Sequence, residues 1–282
     1  MAEPVLRIDV LTLFPALFDG FLSESILSRA IARGLVAVHL WNPREWAEGK
    51  HRQVDDRPFG GGPGMVLMAP PVVAAVEAIR AAAEPAGRLI ALTPGGRRLD
   101  QAHVRQLAES GRLVLLCGRY EGFDERIFDV LEPELLSIGD YILSGGEVAA
   151  MVVIDAAMRL IPGALGDDES ATDESFGGEG GIEYPHYTRP RSFRDRDVPA
   201  VLLSGDHRAI DLWRRGQGRD RTAARRRDLV DPALPPLPMP RSWPPAQAPP
   251  VARTNPADTS ISPHHPDPSD PGETPGRPER KP

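Results

Sequence analysis

Three glycine-bearing segments each follow a hydrophobic run in this sequence: Thr93-Pro94-Gly95-Gly96, Gly118-Arg119-Tyr120-Glu121-Gly122 and Ser144-Gly145-Gly146-Glu147. Each falls where a strand is expected to end. In an open parallel sheet such ends gather along one edge, and ligands bind there. Glycine at that edge lets the backbone approach a flat ligand and offer it amide and carbonyl groups. Any one of these glycines could simply relax a tight turn; three together point to a site. No Lys-Ser or Lys-Thr follows a glycine-rich segment, and none of the three matches the dinucleotide fingerprint at the first strand–helix junction, so a phosphate-cradling loop is disfavoured. Gly60-Gly61-Gly62-Pro63-Gly64 also lacks the lysine and reads better as a mobile lid or hinge.

Proton chemistry has its best candidate in Glu183-Tyr184-Pro185-His186-Tyr187-Thr188-Arg189-Pro190. Two tyrosines, a histidine and two prolines suit a stiff extended segment that presses on a base or on a partner chain. The carboxylate at its head could accept a proton. The same segment could equally be a strut that docks the C-terminal region. Arg159 closes an otherwise apolar helical run, where a cation ordinarily just complements the helix dipole.

The elements that position these groups follow from periodicity. Val5 to Leu13 reads as a strand, Pro15 opens a helical segment that runs to Arg33 and stops at Gly34, and Leu35 to Trp41 is a second strand. Residues 42–64 read as a long loop, and long loops in compact domains are usually functional. Helix 71–83, strand 88–93, a Pro-Gly-Gly turn, helix 100–109, strand 113–117, a short helix at 124–131, strand 135–138 and helix 147–160 then alternate. That alternation predicts an α/β fold with a parallel sheet covered on both faces. An acidic, glycine-rich linker follows, then an apolar run from Val198 to Leu203, a helix from Asp206 to Arg215 and an arginine cluster. These read as a small helical C-terminal domain.

Composition narrows the class. The 282 residues carry a formal net charge of −7, and the last 51 hold 17 of the 31 prolines with almost no aliphatic runs, so that tail cannot bury enough surface to fold. No window reaches the ~18–20 apolar residues of a membrane helix, and no signal peptide is evident, so no membrane partner and a cytoplasmic location are expected. Cys117 is the lone cysteine, which excludes an internal disulfide framework and a thiolate zinc site. Although the net charge argues against nucleic acid, seven arginines and one acidic residue lie between Arg214 and Arg227. Phosphate attraction acts over about a Debye length, so the local cluster is the better guide. It could grip phosphates or be a solvated helix face, and the 31 arginines against two lysines also point to a codon bias.

Four motifs in order, from Val54-Asp55-Asp56-Arg57-Pro58-Phe59 through Gly64-Met65, then Gly118 to Gly122, Ser137 to Glu147, and Pro185 to Pro190, resemble the bacterial tRNA (guanine-N1)-methyltransferase family. The likeness spans about residues 5 to 230. It implies a SPOUT-class methyltransferase with a deep trefoil knot, working as a homodimer whose active sites draw on both chains. The activity it implies is transfer of a methyl group from S-adenosylmethionine to N1 of guanosine 37 of tRNA. On this resemblance the domains are 1–165 for the cofactor, 166–182 as a flexible linker, 183–231 as a helical tRNA-binding domain and 232–282 as a disordered tail. Leu92, Pro94, Gly96, Gly118, Tyr120, Ile138, Gly139, Asp140, Tyr141, Ile142, Leu143, Gly145 and Gly146 would hold the cofactor. Asp55 and Glu121 would hold the guanine, Glu183 would be the general base, and Arg159 would steady the developing charge. Arg214, Arg215, Arg225, Arg226 and Arg227 would meet the tRNA. The family also uses magnesium, for which no ligand cage is evident in the sequence.

The chemistry is consistent on its own terms. N1 of guanine carries a proton at neutral pH, so a carboxylate within ~2.6–3.2 Å is needed to remove it. The charge then moves onto O6, where a guanidinium can stabilise it, and the base must leave its stack to reach the pocket. A non-catalytic RNA-binding relative would be expected to have lost Glu183 or Arg159, and both are present. A ribose methyltransferase would have no need of a base against a ring nitrogen.

Overall fold

A computed structural model describes residues 4–166, 174–177 and 181–231. The expected tail at 232–282 and most of the expected linker lie outside these residues. In chain order the elements are β1 (Leu6–Leu11), α1 (Asp19–Ser23), α2 (Ser25–Ala32), β2 (Val36–Trp41), β3 (Asp55–Asp56), β4 (Val66–Leu67), α3 (Ala69–Ala81), β5 (Arg88–Arg98) and α4 (Gln101–Ala108). There follow β6 (Arg112–Cys117), α5 (Arg126–Leu131), β7 (Glu134–Ser137), α6 (Glu147–Met158), β8 (Ser192–Phe193), β9 (Arg196–Asp197) and α7 (His207–Arg225).

Five strands form one sheet in the order β2-β1-β6-β5-β7, and every pairing in it is parallel. Side chains alternate across a strand, so β6 feeds two cores. Leu113, Leu115 and Cys117 join Ala150, Val153, Ile154 and Ala157 of α6 and Leu27 and Ala30 of α2 on one face. On the other, Val114 and Leu116 join Val72, Val76 and Ile79 of α3 and Ile127 of α5. Both faces are covered, as the run of aliphatic residues in the strands requires.

One buried ion network ties the sheet to α3. The fully buried Asp9 carboxylate accepts hydrogen bonds from Arg7 (2.9 and 3.0 Å), Arg112 (2.9 Å) and the Trp41 indole (2.9 Å). Burial alone would raise the Asp9 pKa, but the bonds from Arg7, Trp41 and Arg112 outweigh it and hold the carboxyl below its ordinary value. Arg112, 1% exposed, also donates to the carbonyls of Ile79, Ala83 and Pro85 and so satisfies the C-terminal end of α3.

Three expectations change. The segment after Pro15 is not one helix: a 3-10 turn over Pro15–Phe18 leads into α1, and the chain breaks at Ser25, whose φ is +61°. The Pro-Gly-Gly segment does not end β5. The strand continues through it to Arg98 with a register shift against β7 between Leu92 and Arg97, so Pro94 to Gly96 form a bulge rather than a turn. The last helix runs ten residues past Arg215, because Gly216 and Gly218 are absorbed into α7; Gly218 lies close to the backbone of Ile182, where a side chain would crowd it.

Candidate active site

The C-terminal ends of β5, β6 and β7 open into a cleft of about 420 Å³. All three glycine-bearing segments reach it. Leu92 and Pro94 line one side, Gly118, Tyr120 and Glu121 the second, and Ile138, Gly139, Tyr141, Ile142, Leu143, Gly145 and Gly146 the third. Tyr120 holds a left-handed backbone with φ of +60°, a strained conformation of a kind that clusters at functional sites. Two close main-chain approaches lie at or behind the walls. A Cβ on Gly146 would lie 2.7 Å from Cys117 Cα, and one on Gly96 would meet the Leu135 carbonyl at 2.6 Å, so neither position can carry a side chain without moving main chain.

Gly96 therefore shapes the cleft from behind and does not line it, and the exposed Asp140 stands outside the lining too. Residues that motif reading passed over do line it, among them Arg119, Phe123, Ser137 and Ser144. Arg119 is the informative one. Its guanidinium lies 4.5 Å from the centre of the Phe14 ring, donates to the Ser144 carbonyl at 3.2 Å, and meets Glu147 Oε2 at 2.8 Å without the alignment of a hydrogen bond. Glu147 is 1% exposed and takes a second contact from Thr12 Oγ1 at 2.8 Å. Its placement in a Gly-Gly-Glu sequence at the first turn of α6 was the available signal.

Asp55 does not line the cleft, but its neighbourhood is joined to it. β3 and β4 pair as a small hairpin, and the segment after β3 returns so that Glu121 N–H donates to the Met65 carbonyl and Leu67 N–H to the Gly122 carbonyl, both at 2.9 Å. Gly64, with φ of +83°, packs so closely on the Glu121 side chain that a Cβ would collide with it. The glycine-rich loop and the Glu121 turn are thus one assembly, with Phe59 fully exposed on its outside.

Glu183 and Arg159 are not brought together with the cleft within this chain. Glu183 is about one-third exposed and meets the His186 ring at 3.2 Å. Arg159, at the C-terminal cap of α6, pairs instead with Glu174. Glu174 begins a short folded-back stretch: Phe176 N–H donates to the Gly181 carbonyl (2.7 Å), Glu183 N–H to Ser175 Oγ (3.1 Å), and Arg105 to the Phe176 carbonyl (3.0 Å). Both carboxylates therefore belong to one local structure. Sequence reading misses Glu174 because it lies inside the acidic stretch that reads as linker.

The arginines of α7 and its end separate into two groups. Arg214 sits over the Tyr184 ring at 4.7 Å, and Arg226 pairs with Asp228 at 2.7 Å and approaches the Phe176 ring at 5.6 Å. Arg215 and Arg225 are exposed. Tyr187 and Trp213 pack at 6.3 Å, and Ile182 N–H bonds to Thr222 Oγ1, so the 182–187 segment is docked on α7 as the strut reading anticipated. Among the described residues no three His, Cys, Asp or Glu side chains are placed to hold a metal ion, and no helix is long and apolar enough to cross a membrane.

A family model described as tRNA (Guanine-1)-methyltransferase TrmD matches residues 6–232. A tRNA (guanine-N(1)-)-methyltransferase of Rhodopirellula baltica is 58% identical over 227 residues, covering 80% of this chain and 94% of the relative. Enzymes of the same name from Anaeromyxobacter sp. and Halorhodospira halophila are 54% and 53% identical, covering 80% and 79% of this chain and 91% and 84% of the relatives. The matched span takes in every element of the sheet, the cleft and α7, and on it the chain belongs to the tRNA (guanine-N1)-methyltransferase family.

Proposed function

We propose that this enzyme methylates N1 of guanosine 37 of tRNA, beside the anticodon, with S-adenosylmethionine as methyl donor in the cleft at the ends of β5, β6 and β7. The observation that carries this reading is the convergence of the three glycine segments on one cleft in a chain of this family. A volume of about 420 Å³ suits a small ligand, and Gly145 and Gly146 in its lining let the Arg119 side chain and the Cys117 main chain pack closely against them. Bound there, the donor supplies a methyl group already activated on a sulfonium, so no covalent enzyme intermediate is needed. Leu92, Pro94, Gly118, Tyr120, Ile138, Gly139, Tyr141, Ile142, Leu143, Gly145 and Gly146 would hold it, with Gly96 maintaining the bulge beneath. Asp55 and Glu121, on joined segments, would hold the guanine.

N1 and O6 lie side by side on one edge of guanine, so the base that removes the N1 proton and the cation that receives charge at O6 must be neighbours. Arg159 is the cation. The expected Glu183 would be the general base, and Glu174, which touches Arg159, would hold that cation in place. Glu183, beside His186 and bonded through its N–H to Ser175 Oγ, stands on the same folded-back stretch as Glu174.

The cleft and the Arg159 pair lie on separate linings of the chain, and a homodimer would supply one to the other. An exposed stripe on α6 supports this: Val148 and Val152 are 54% and 42% exposed, Asp155 is exposed, and the stripe ends at Arg159. The family's trefoil knot would lie in this region of the sheet. Residues 183–231 would form the tRNA-binding domain, with exposed Arg215 and Arg225 best placed for phosphates and Arg214, Arg226 and Arg227 framing them. A tRNA substrate implies the cytoplasm. The donor groups among the described residues do not fit a magnesium cage, and no step is assigned to that ion.

The test is methyl transfer from isotopically labelled S-adenosylmethionine to tRNA transcripts differing only at nucleotide 37, with digestion and mass spectrometry. Label in 1-methylguanosine from the guanosine-37 transcript alone is expected. Label at another nucleotide, or on ribose, would overturn the reading.

A further inference from the structure

We infer that the buried pair Glu147–Arg119 sets the charge of the cofactor cleft, and that Glu147 is a positioning and specificity residue that lets the cleft accept a cationic sulfonium donor without the penalty, relative to the neutral thioether product, that an uncompensated Arg119 would impose. This rests on the reading that the donor occupies the cleft. Arg119 lines that cleft, with its side chain 19% exposed. A guanidinium alone in such a wall would repel a sulfonium. Glu147, 2.8 Å from it and 1% exposed, cancels that charge from behind.

The pair is held by structure on every side. Thr12 Oγ1 donates to the second Glu147 oxygen, the Phe14 ring faces the guanidinium, and the Ser144 carbonyl accepts from Arg119 Nη1. Gly145 leaves the room Arg119 occupies, because a Cβ there would overlap the guanidinium stem. Three loops of the cleft region, at 12–14, 118–122 and 144–147, therefore meet on one ion pair. Its field reaches the wall: burial pushes the Cys117 thiol up, Glu147 pushes it further and Arg119 opposes, and Cys117 precedes Gly118 of the lining. Coulomb interactions this far from bulk water are poorly screened. A unit charge about 10 Å away at an effective dielectric constant of about 20 changes affinity by roughly tenfold.

S-adenosylmethionine and S-adenosylhomocysteine differ by one methyl group and one positive charge on sulfur, so the ratio of their dissociation constants isolates the electrostatic term from general damage to the pocket. Isothermal titration calorimetry of each ligand on wild type, Glu147→Gln and Arg119→Gln reads it. In Glu147→Gln the guanidinium is left uncompensated, and the ratio is expected to move roughly tenfold against the sulfonium. In Arg119→Gln the carboxylate is left uncompensated, and the ratio is expected to move the opposite way. Either variant alone carries the sign, should the other fail to fold. Equal losses for both ligands, or shifts of the same sign in both variants, would overturn the inference while leaving the cleft assignment intact. Failure of the wild-type protein to bind either ligand would instead remove the cleft assignment, and this inference with it.

Discussion

Arg159 is ion-paired with Glu174, nine residues before the carboxylate that heads the Tyr-Pro-His-Tyr motif. Glu183 N–H bonds to Ser175 Oγ, next to Glu174, so the folded-back stretch carries the proposed base together with the partner of the proposed cation.

Arg159→Ala should lower kcat by about 10²–10³-fold, the usual cost of losing one preorganised partner of a developing oxyanion. S-adenosylmethionine affinity should not change, since Arg159 lies outside the cleft lining. Single-turnover transfer and calorimetry on the same preparation separate the two quantities.

The glycines of the cleft should divide by what a methyl group would meet. Gly146→Ala must push on the Cys117 and Gly118 main chain, 2.7 and 2.9 Å away, and should cost about 1–3 kcal/mol of stability, read as a lower Tm. Gly145→Ala meets the Arg119 side chain and must push it off the buried Glu147, so cofactor affinity should fall together with Tm.

Among the arginines, Arg215→Ala with Arg225→Ala should flatten the salt dependence of tRNA binding by about one unit of slope for each phosphate no longer neutralised. Arg226→Ala should act mainly on the fold, since that side chain is engaged by Asp228 and Phe176. Binding titrations between low and moderate salt distinguish the two behaviours.

Asp9 predicts an acid limit to stability. Its folded-state pKa lies below the ordinary value near ~3.9, so its contribution is complete above that value and is lost as pH falls through the lowered one. Asp9→Asn should lose about 3–5 kcal/mol at neutral pH, because Arg112 remains buried without its counter-charge. The variant should also show a shallower acid limb in denaturant titrations taken from pH 6 down to pH 2.

Much of the frame was legible because local pattern and tertiary demand agree. Leu113 to Cys117 is apolar throughout and becomes a central strand, and Gly34 ends α2 with φ of +71°. The glycine segments at 118–122 and 144–147 were placed at the site by the parallel-sheet rule alone. What stayed hidden depends on residues far apart in sequence. Pro94 to Gly96 carry turn chemistry, yet β7 pairs across them and draws the strand on. Glu174 carries no local signal, and only the fold sets it against Arg159. Arg119 and Glu147 were visible as members of motifs, but their pairing, over 28 residues, was not.

The most direct test compares Glu174→Gln with Glu183→Gln in single-turnover methyl transfer to guanosine-37 tRNA under saturating S-adenosylmethionine, with donor binding measured alongside. The account predicts that Glu183→Gln binds the donor normally and transfers about 10²–10⁴-fold more slowly, the range for a lost general base, while Glu174→Gln retains more of its rate. Unimpaired transfer by Glu183→Gln, with the loss falling on Glu174→Gln or on neither, would contradict it.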